Sequence, residues 1–385
     1  MKSKPFRVLH LFPRFRPNFA GDGIYFEKLW PKLVEQGGGH DVVVFTTPAP
    51  AQLPSVAPPG MKLIYLRRSE RETQRRVLLR YYLWLVRNLR SYSVIHSRTH
   101  IDRFFISHFI ARLFGIAIIY SATLDDSPPY ILWTYRPSRW RFVTWAMKTT
   151  LTRLVAISPR LRDDSVAFLG PERVVLIPQG VALPPPASQS REELRAAHGI
   201  PPDSFVLLYV GSVSRRKDVM FLVENLAELR LKRRPYLIVL GPKLEEDYCK
   251  EVSMRIAELG LGGQVRFEDY HDDLAPFYRL ADVFVFASWI EGFGNVLIEA
   301  MSFGLPIVAR RLEGVTDFVI LDGKTGILFD TKEQYRDALT RLESEPELGA
   351  GLARNAYLKA ATDYSLDSTV RRYIALYREV SGEES

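Results

Sequence analysis

Glu291 and Glu299 stand eight residues apart around Gly292-Phe293-Gly294-Asn295, inside the run ASWIEGFGNVLIEAMSFGLPIVA. Carboxylates bind hydroxyls by accepting their hydrogen bonds. The Gly292-Phe293-Gly294 turn can bring bare backbone amides to a ligand, because glycine tolerates positive φ and carries no side chain. An apolar-periodic helix is predicted to start near Asn295, and its dipole end and free amides favour an anion such as a phosphate. Helical side chains lean back toward the N-terminus. Glu299, about a turn and a half in, therefore reaches a polar group beside that phosphate, while Glu291 reaches another from the loop. Amides for phosphate and carboxylates for hydroxyls fit a sugar nucleotide. On spacing alone a second reading stays open: a surface glutamate and a helical glutamate that never meet.

A second chemical group is Arg215-Arg216-Lys217, which follows the apolar run Val206–Val210 and Gly211-Ser212. Cations there lie at the carboxyl edge of a predicted parallel sheet, where open α/β sheets bind ligands. They can stabilise negative charge growing on a departing diphosphate. Read blandly, the same three residues are a solvated basic turn.

With these neighbours the chain resembles glycosyltransferase family 4, whose signature is Glu-x7-Glu ending in Glu-Ala-x-x-x-Gly-x-Pro-Val. Glu291, Glu299, Ala300, Gly304 and Pro306 match in register. The stretch Tyr209-Val210-Gly211-Ser212-Val213-Ser214-Arg215-Arg216-Lys217-Asp218 is similar to the family's strand followed by Gly-Arg-Leu-x-x-x-Lys-Gly. Gly21-Asp22-Gly23-Ile24-Tyr25 resembles its glycine-rich loop opening the first helix, and Ile177-Pro178-Gln179-Gly180-Val181-Ala182 resembles Pro-Asn-Gly-Val-Asp. The matches cover most of the chain and are densest from Val206 to Phe329.

The resemblance implies an α/β chain of the GT-B type: two Rossmann-like parallel-sheet domains facing a central cleft, with a final helix crossing back to the first domain. It implies a retaining, metal-independent hexosyltransferase that needs no cofactor and uses a UDP- or GDP-linked sugar as donor. Glu299 would hold the ribose hydroxyls and Glu291 the transferred sugar, with Lys217 and Arg216 on the leaving diphosphate. Gly292, Phe293, Gly294, Asn295, Gly211, Ser212, Arg215, Gly21 and Gly23 would line the donor. Two departures matter. Ser212 stands where the family has Arg, so Arg216 is expected to substitute. Thr123 stands where the family often has His, so Asp125 or Asp126 is expected to serve beside the sugar; loop capping is the plain alternative for them. His96 and His100 are read as structural. A sugar-nucleotide epimerase or hydrolase on the same fold, or a non-catalytic partner subunit, are the alternatives of function.

The elements that must position these residues follow from periodicity. Short apolar runs alternate with helical patterns from Phe6–Phe12 onward and again from Phe205–Val210 onward, which implies parallel sheets covered on both faces. Pro184-Pro185-Pro186 with Ser188-Gln189-Ser190 reads as a stiff linker. The expected domains are 1–183 for the acceptor, 184–364 for the nucleotide sugar, and a helix within 365–385. No Gly-x-Gly-x-x-Gly follows the first strand and no P-loop occurs, which argues against a dinucleotide dehydrogenase and a P-loop ATPase. The seven His and one Cys show no zinc spacing.

At 385 residues, with 47% hydrophobic and 25% charged, the chain is ordinary globular protein. One cysteine cannot make an internal disulfide, which suits a reducing compartment. The N-terminal apolar stretch stops at Pro13, too short for a secretory signal. No apolar run approaches about 18 residues, so a cytoplasmic setting is expected. Charge is uneven: residues 1–183 hold 27 Lys+Arg against 12 Asp+Glu, and the rest hold 25 against 32. Arg67, Arg68, Arg71, Arg75, Arg76, Arg80, Arg87 and Arg90 surround Val77–Leu79 and Tyr81–Val86. Trp133, Tyr135, Arg136, Arg139, Trp140, Arg141, Phe142, Trp145 and Lys148 form a second cluster. Both suit an anionic membrane surface, here the inner face of the plasma membrane, with a saccharide or lipid-linked saccharide as acceptor. Core packing with solubilising arginines is the plain alternative. No nucleic-acid module is present.

Overall fold

Two apolar runs, Arg7–Phe12 and Ser204–Val210, are buried along nearly their whole length. A strand with apolar residues on both faces must sit inside a sheet that helices cover on each side. The computed structural model describes residues 6–12, 21–44, 62–65, 73–98, 105–123, 137–269 and 271–383, and places each run inside a separate sheet.

The first sheet comprises β1 Arg7–Phe12, β2 Gly39–Val44, β3 Lys62–Tyr65, β4 Val94–Arg98, β5 Ala117–Ala122, β6 Arg153–Ala156 and β7 Val174–Leu176. Its order is β3-β2-β1-β4-β5-β6-β7, and its neighbours pair parallel. The second comprises β8 Ser204–Val210, β9 Arg234–Leu240, β10 Val265–Glu268, β11 Val283–Phe286, β12 Ile307–Arg310 and β13 Ile327–Phe329. Its order, β10-β9-β8-β11-β12-β13, is again parallel throughout. Both are doubly wound: the winding direction reverses between β1 and β4, and between β8 and β11.

The chain divides into two units, Met1–Pro178 with Leu366–Ser385, and Gln179–Ser365. The division falls at Pro178/Gln179, ahead of the boundary expected at 183/184, because Val181 already pairs with Ser365. The proline stretch is also held by its own unit, since Arg279 donates to the Pro185 carbonyl. The C-terminal helix Leu366–Ser381 belongs to the first unit. Its inward stripe, Leu366, Val370, Tyr373, Ile374 and Tyr377, is buried with Phe6, Val8, Trp30 and Val94. That spacing of three and four residues is what lays one helical face against a sheet. Ion pairs Lys32–Asp367 (3.1 Å) and Arg153–Glu379 (2.6 Å) fix its ends.

The first helix spans Gly21–Glu35. Gly21 and Gly23 therefore lie in its first turn, a correction to the loop expected there. Asp125, Asp126, His100, Arg67, Arg68, Arg71, Trp133, Tyr135 and Arg136 lie outside the described residues.

Candidate active site

Open parallel sheets bind ligands at the carboxyl ends of strands where the winding reverses, because the loops there diverge and leave a crevice. In the second unit that point is between β8 and β11. The loop leaving β8 carries Arg215-Arg216-Lys217, and the loop leaving β11 carries Glu291. The two loops are joined. Lys217 Nζ pairs with Glu291 Oε1, and Arg216 reaches the same oxygen at 3.1 Å. Arg216 also donates to the Ile290 carbonyl (2.7 Å), while the Trp289 amide donates to the Arg216 carbonyl (3.0 Å). Glu291 is buried and Lys217 half-buried, so these charges interact with less screening than at an open surface.

The helix expected near Asn295 runs Asn295–Ser302. Gly294 caps it with φ 88°, a left-handed conformation that a side chain would strain. Gly292 makes no use of that freedom, which corrects the expectation for the turn as a whole. The Phe286 ring at the end of β11 links the helix start to the cations. Lys217 Nζ lies 5.8 Å from its centroid, and a Cβ at Gly294 would lie 3.7 Å from its edge. Phe293 points away: its ring is buried edge-on against Tyr364, so only its backbone is available to a ligand.

Glu299 is half-buried, and the Tyr278 hydroxyl donates to its Oε2 (3.1 Å). Burial, then the Glu299 charge, hold the Tyr278 phenol well above its ordinary pKa, so it stays a donor. Tyr209 is likewise pushed up by burial and then by Glu291, and its hydroxyl donates to the Ser212 carbonyl (2.8 Å). This bond shapes the Gly211-Ser212 turn. Beside it, a Cβ on Gly241 would meet the Gly211 carbonyl oxygen at 2.3 Å, so the ends of β8 and β9 approach only as glycines.

Arg216, Lys217 and Glu291 are thus brought together, with Gly294 and Asn295 close behind. Arg215 is not, contrary to expectation. Its guanidinium instead pairs with Glu251 (2.5 Å) and lies over the Tyr248 ring. His96 lies at 0% exposure in the first unit, bonded to Tyr377 and Ser121 at 2.7 Å each, a structural residue. Sequence reading missed Tyr278, Tyr209, Trp289, Asp218 and Arg310. Asp218 carried a signal, standing where the family pattern Lys-Gly has glycine. Arg310 carried none.

Two family models match the chain. "Glycosyl transferases group 1" covers residues 190–359, and "Glycosyl transferase 4-like domain" covers 21–180. The chain belongs to glycosyltransferase family 4. D-inositol 3-phosphate glycosyltransferase 1 of Catenulispora acidiphila is 33% identical over 59% of the chain and 57% of its own length. The enzyme of that name from Paenarthrobacter aurescens is 28% identical over 98% of each. Lipopolysaccharide core biosynthesis glycosyltransferase LpsE of Rhizobium meliloti is 31% identical over 47% of the chain and 52% of its own. Against the first and the last of these the chain spans only about half the relative's length. Anabaena Alr3699/HepE, solved in complex with UDP and glucose, superposes with a TM-score of 0.79 at 19% identity, over 97% of this chain and 100% of that one. This glycosyltransferase therefore has the GT-B fold.

Proposed function

We propose that this glycosyltransferase moves a sugar, with retention of anomeric configuration, from a nucleotide-diphospho-sugar to a saccharide or lipid-linked saccharide of a cell-surface polymer or glycolipid. The second unit takes the donor and the first takes the acceptor. The observation that carries this reading is the convergence of Lys217 and Arg216 on Glu291 at the β8/β11 reversal, beside the start of the helix Asn295–Ser302. A diphosphate there meets two cations and a helix N-terminus, which stabilise it as it leaves without a metal. Glu299 takes the ribose hydroxyls, braced by Tyr278, and Glu291 takes the sugar. Glu291, shared between two cations, is a positioning carboxylate rather than a nucleophile. The bond between the anomeric carbon and the diphosphate oxygen breaks as the acceptor oxygen attacks from the same face. The acceptor proton passes to the departing phosphate oxygen. UDP in the HepE complex favours a UDP-sugar here.

The acceptor is reached at an anionic membrane surface. The helix Gln74–Asn88 buries Val77, Tyr81 and Leu85 on one side, yet leaves Leu79, Leu83 and Val86 48–63% exposed on another. A surface helix needs one apolar stripe. A second, flanked by exposed Arg75, Arg76 and Arg87, matches a lipid interface with anionic headgroups. On the helix Pro137–Thr150, Phe142 and Trp145 are exposed beside Arg141 and Lys148, a second apolar and basic cluster of the same unit. Among the described residues no helix is long and apolar enough to cross a membrane. LpsE, a lipopolysaccharide enzyme, is consistent with such an acceptor.

A thermal-shift screen of UDP- and GDP-sugars tests the donor. A ligand at 100 times its dissociation constant stabilises the protein by about 2.7 kcal/mol. A screen in which no nucleotide sugar raises the melting temperature counts against the reading.

A further inference from the structure

Asp218 is the non-glycine residue with positive φ among the described residues, at φ 54° and ψ 48°. An L-residue held there costs free energy and persists only where its surroundings over-determine it. It follows Lys217 directly and begins the helix Val219–Glu228. Its Oδ2 pairs with the Arg310 guanidinium at 2.8 Å, both side chains largely shielded from water.

Arg310, at the end of β12, does more than pair. Its Nε donates to the Ala287 carbonyl (2.9 Å), just beyond β11 on the way to Glu291. Its guanidinium lies 3.6 Å from the Trp289 ring centroid and 4.6 Å from that of Phe221. The Trp289 amide in turn donates to the Arg216 carbonyl. One guanidinium therefore ties the ends of β8, β11 and β12, and both the loop bearing the cations and the loop bearing Glu291 hang from it. A buried ion pair adds little net stability compared with apolar residues of the same shape. What this one supplies is a fixed register between two loops.

We propose that Asp218 and Arg310 are positioning residues, a clamp that aims Lys217 and Arg216 at the β-phosphate of the donor. The inference rests on the donor reading above and adds to it the pair that holds the cations in place. An arginine suits the task because its planar fork serves two acceptors at fixed angles.

The test uses the full chain and calorimetric titration with UDP and UMP, and with GDP and GMP. Wild type should prefer the diphosphate, since only it carries the second phosphate for Lys217 and Arg216. Failure of all four nucleotides to bind wild type overturns the donor reading, and the clamp with it. Where wild type binds, Asp218→Asn and Arg310→Met should each reduce the preference for diphosphate over monophosphate by about tenfold or more, the scale of one charge-assisted hydrogen bond. Monophosphate affinity should stay near wild type, which a general loss of folding would not spare. Arg310→Lys keeps the charge, loses the fork and should retain part of the preference. Asp218→Gly relieves the backbone, which offsets part of the cost of leaving Arg310 without its partner, and should still lose the preference. Should Arg310→Met not fold, the two Asp218 variants decide. A folded variant with wild-type diphosphate preference, or equal losses for both phosphates, overturns the clamp.

Discussion

The two units share the order of six strands, to which the first adds β7, and spend their reversal points differently. In the second unit the strands on either side of the reversal, β8 and β11, send out loops that bring Lys217, Arg216 and Glu291 together. In the first unit the corresponding strands, β1 and β4, turn His10 and His96 inward in register, under the C-terminal helix. His10 meets His40 at 3.1 Å, and His96 meets Tyr377. Burial holds these imidazoles neutral, with His40 lowered to about 4 and His108, elsewhere in the same unit, to about 3. The same order of six strands thus supports a charged edge in one unit and a neutral, buried interior in the other. What differs is which side chains the strands carry and what covers them.

The largest expected effect tests the charged edge. Lys217→Ala should lower the transfer rate by about 10²–10³, the usual loss when a donor to developing negative charge is removed. Glu299→Ala should abolish transfer through lost nucleoside binding. Neither side chain is core, so both variants should melt near wild type. Steady-state kinetics with the donor found in the screen decides, and wild-type rates in either variant would refute the assignment.

Next in size is the basic face of the first unit. Replacing Arg75, Arg76 and Arg80 with Ser should weaken binding to vesicles containing anionic lipid by about 1 kcal/mol for each cation near the surface. High salt should do the same to wild type, and nucleotide-sugar affinity should not move. Co-sedimentation that is indifferent to lipid charge would leave this face without its partner.

Acid should separate the units more gently. Burial lowers His10, His40 and His96 in the folded state, so as pH falls through about 6.5 the unfolded chain takes up protons first. Stability is then lost progressively toward pH 4. Each tenfold difference in proton affinity between the folded and unfolded chain is worth about 1.4 kcal/mol. The histidines of the second unit, His198 and His271, are not buried. Hydrogen exchange measured between pH 7 and 4.5 should show β1, β4 and the helix Leu366–Ser381 opening before β8 and β11. Uniform opening would erase the contrast. Smallest of all, Tyr278→Phe should weaken nucleotide binding by about 1 kcal/mol, the worth of one hydrogen bond, as read by titration.

Much of this was legible in the chain itself. Apolar runs such as Phe205–Val210 announce buried parallel strands because no other element hides both faces. Gly294 before an apolar-periodic stretch marks the helix start, and Glu291 and Glu299 point to a sugar-nucleotide site only together with the motif residues around them. Uneven charge between the halves needed only counting. The strand order, the turning of Arg215 away to Glu251 and the pairing of Asp218 with Arg310 were decided in three dimensions. Arg215 and Arg216 are indistinguishable by type; the turn alone sends one to Glu251 and the other to Glu291. Arg310 lies far along the chain from Asp218, and nothing local marks it, since contacts across a parallel sheet join residues that sequence separates by whole strand-and-helix units. Periodicity reports what each segment must bury, whereas which loops meet depends on how strands are ordered side by side, and that order leaves no local trace.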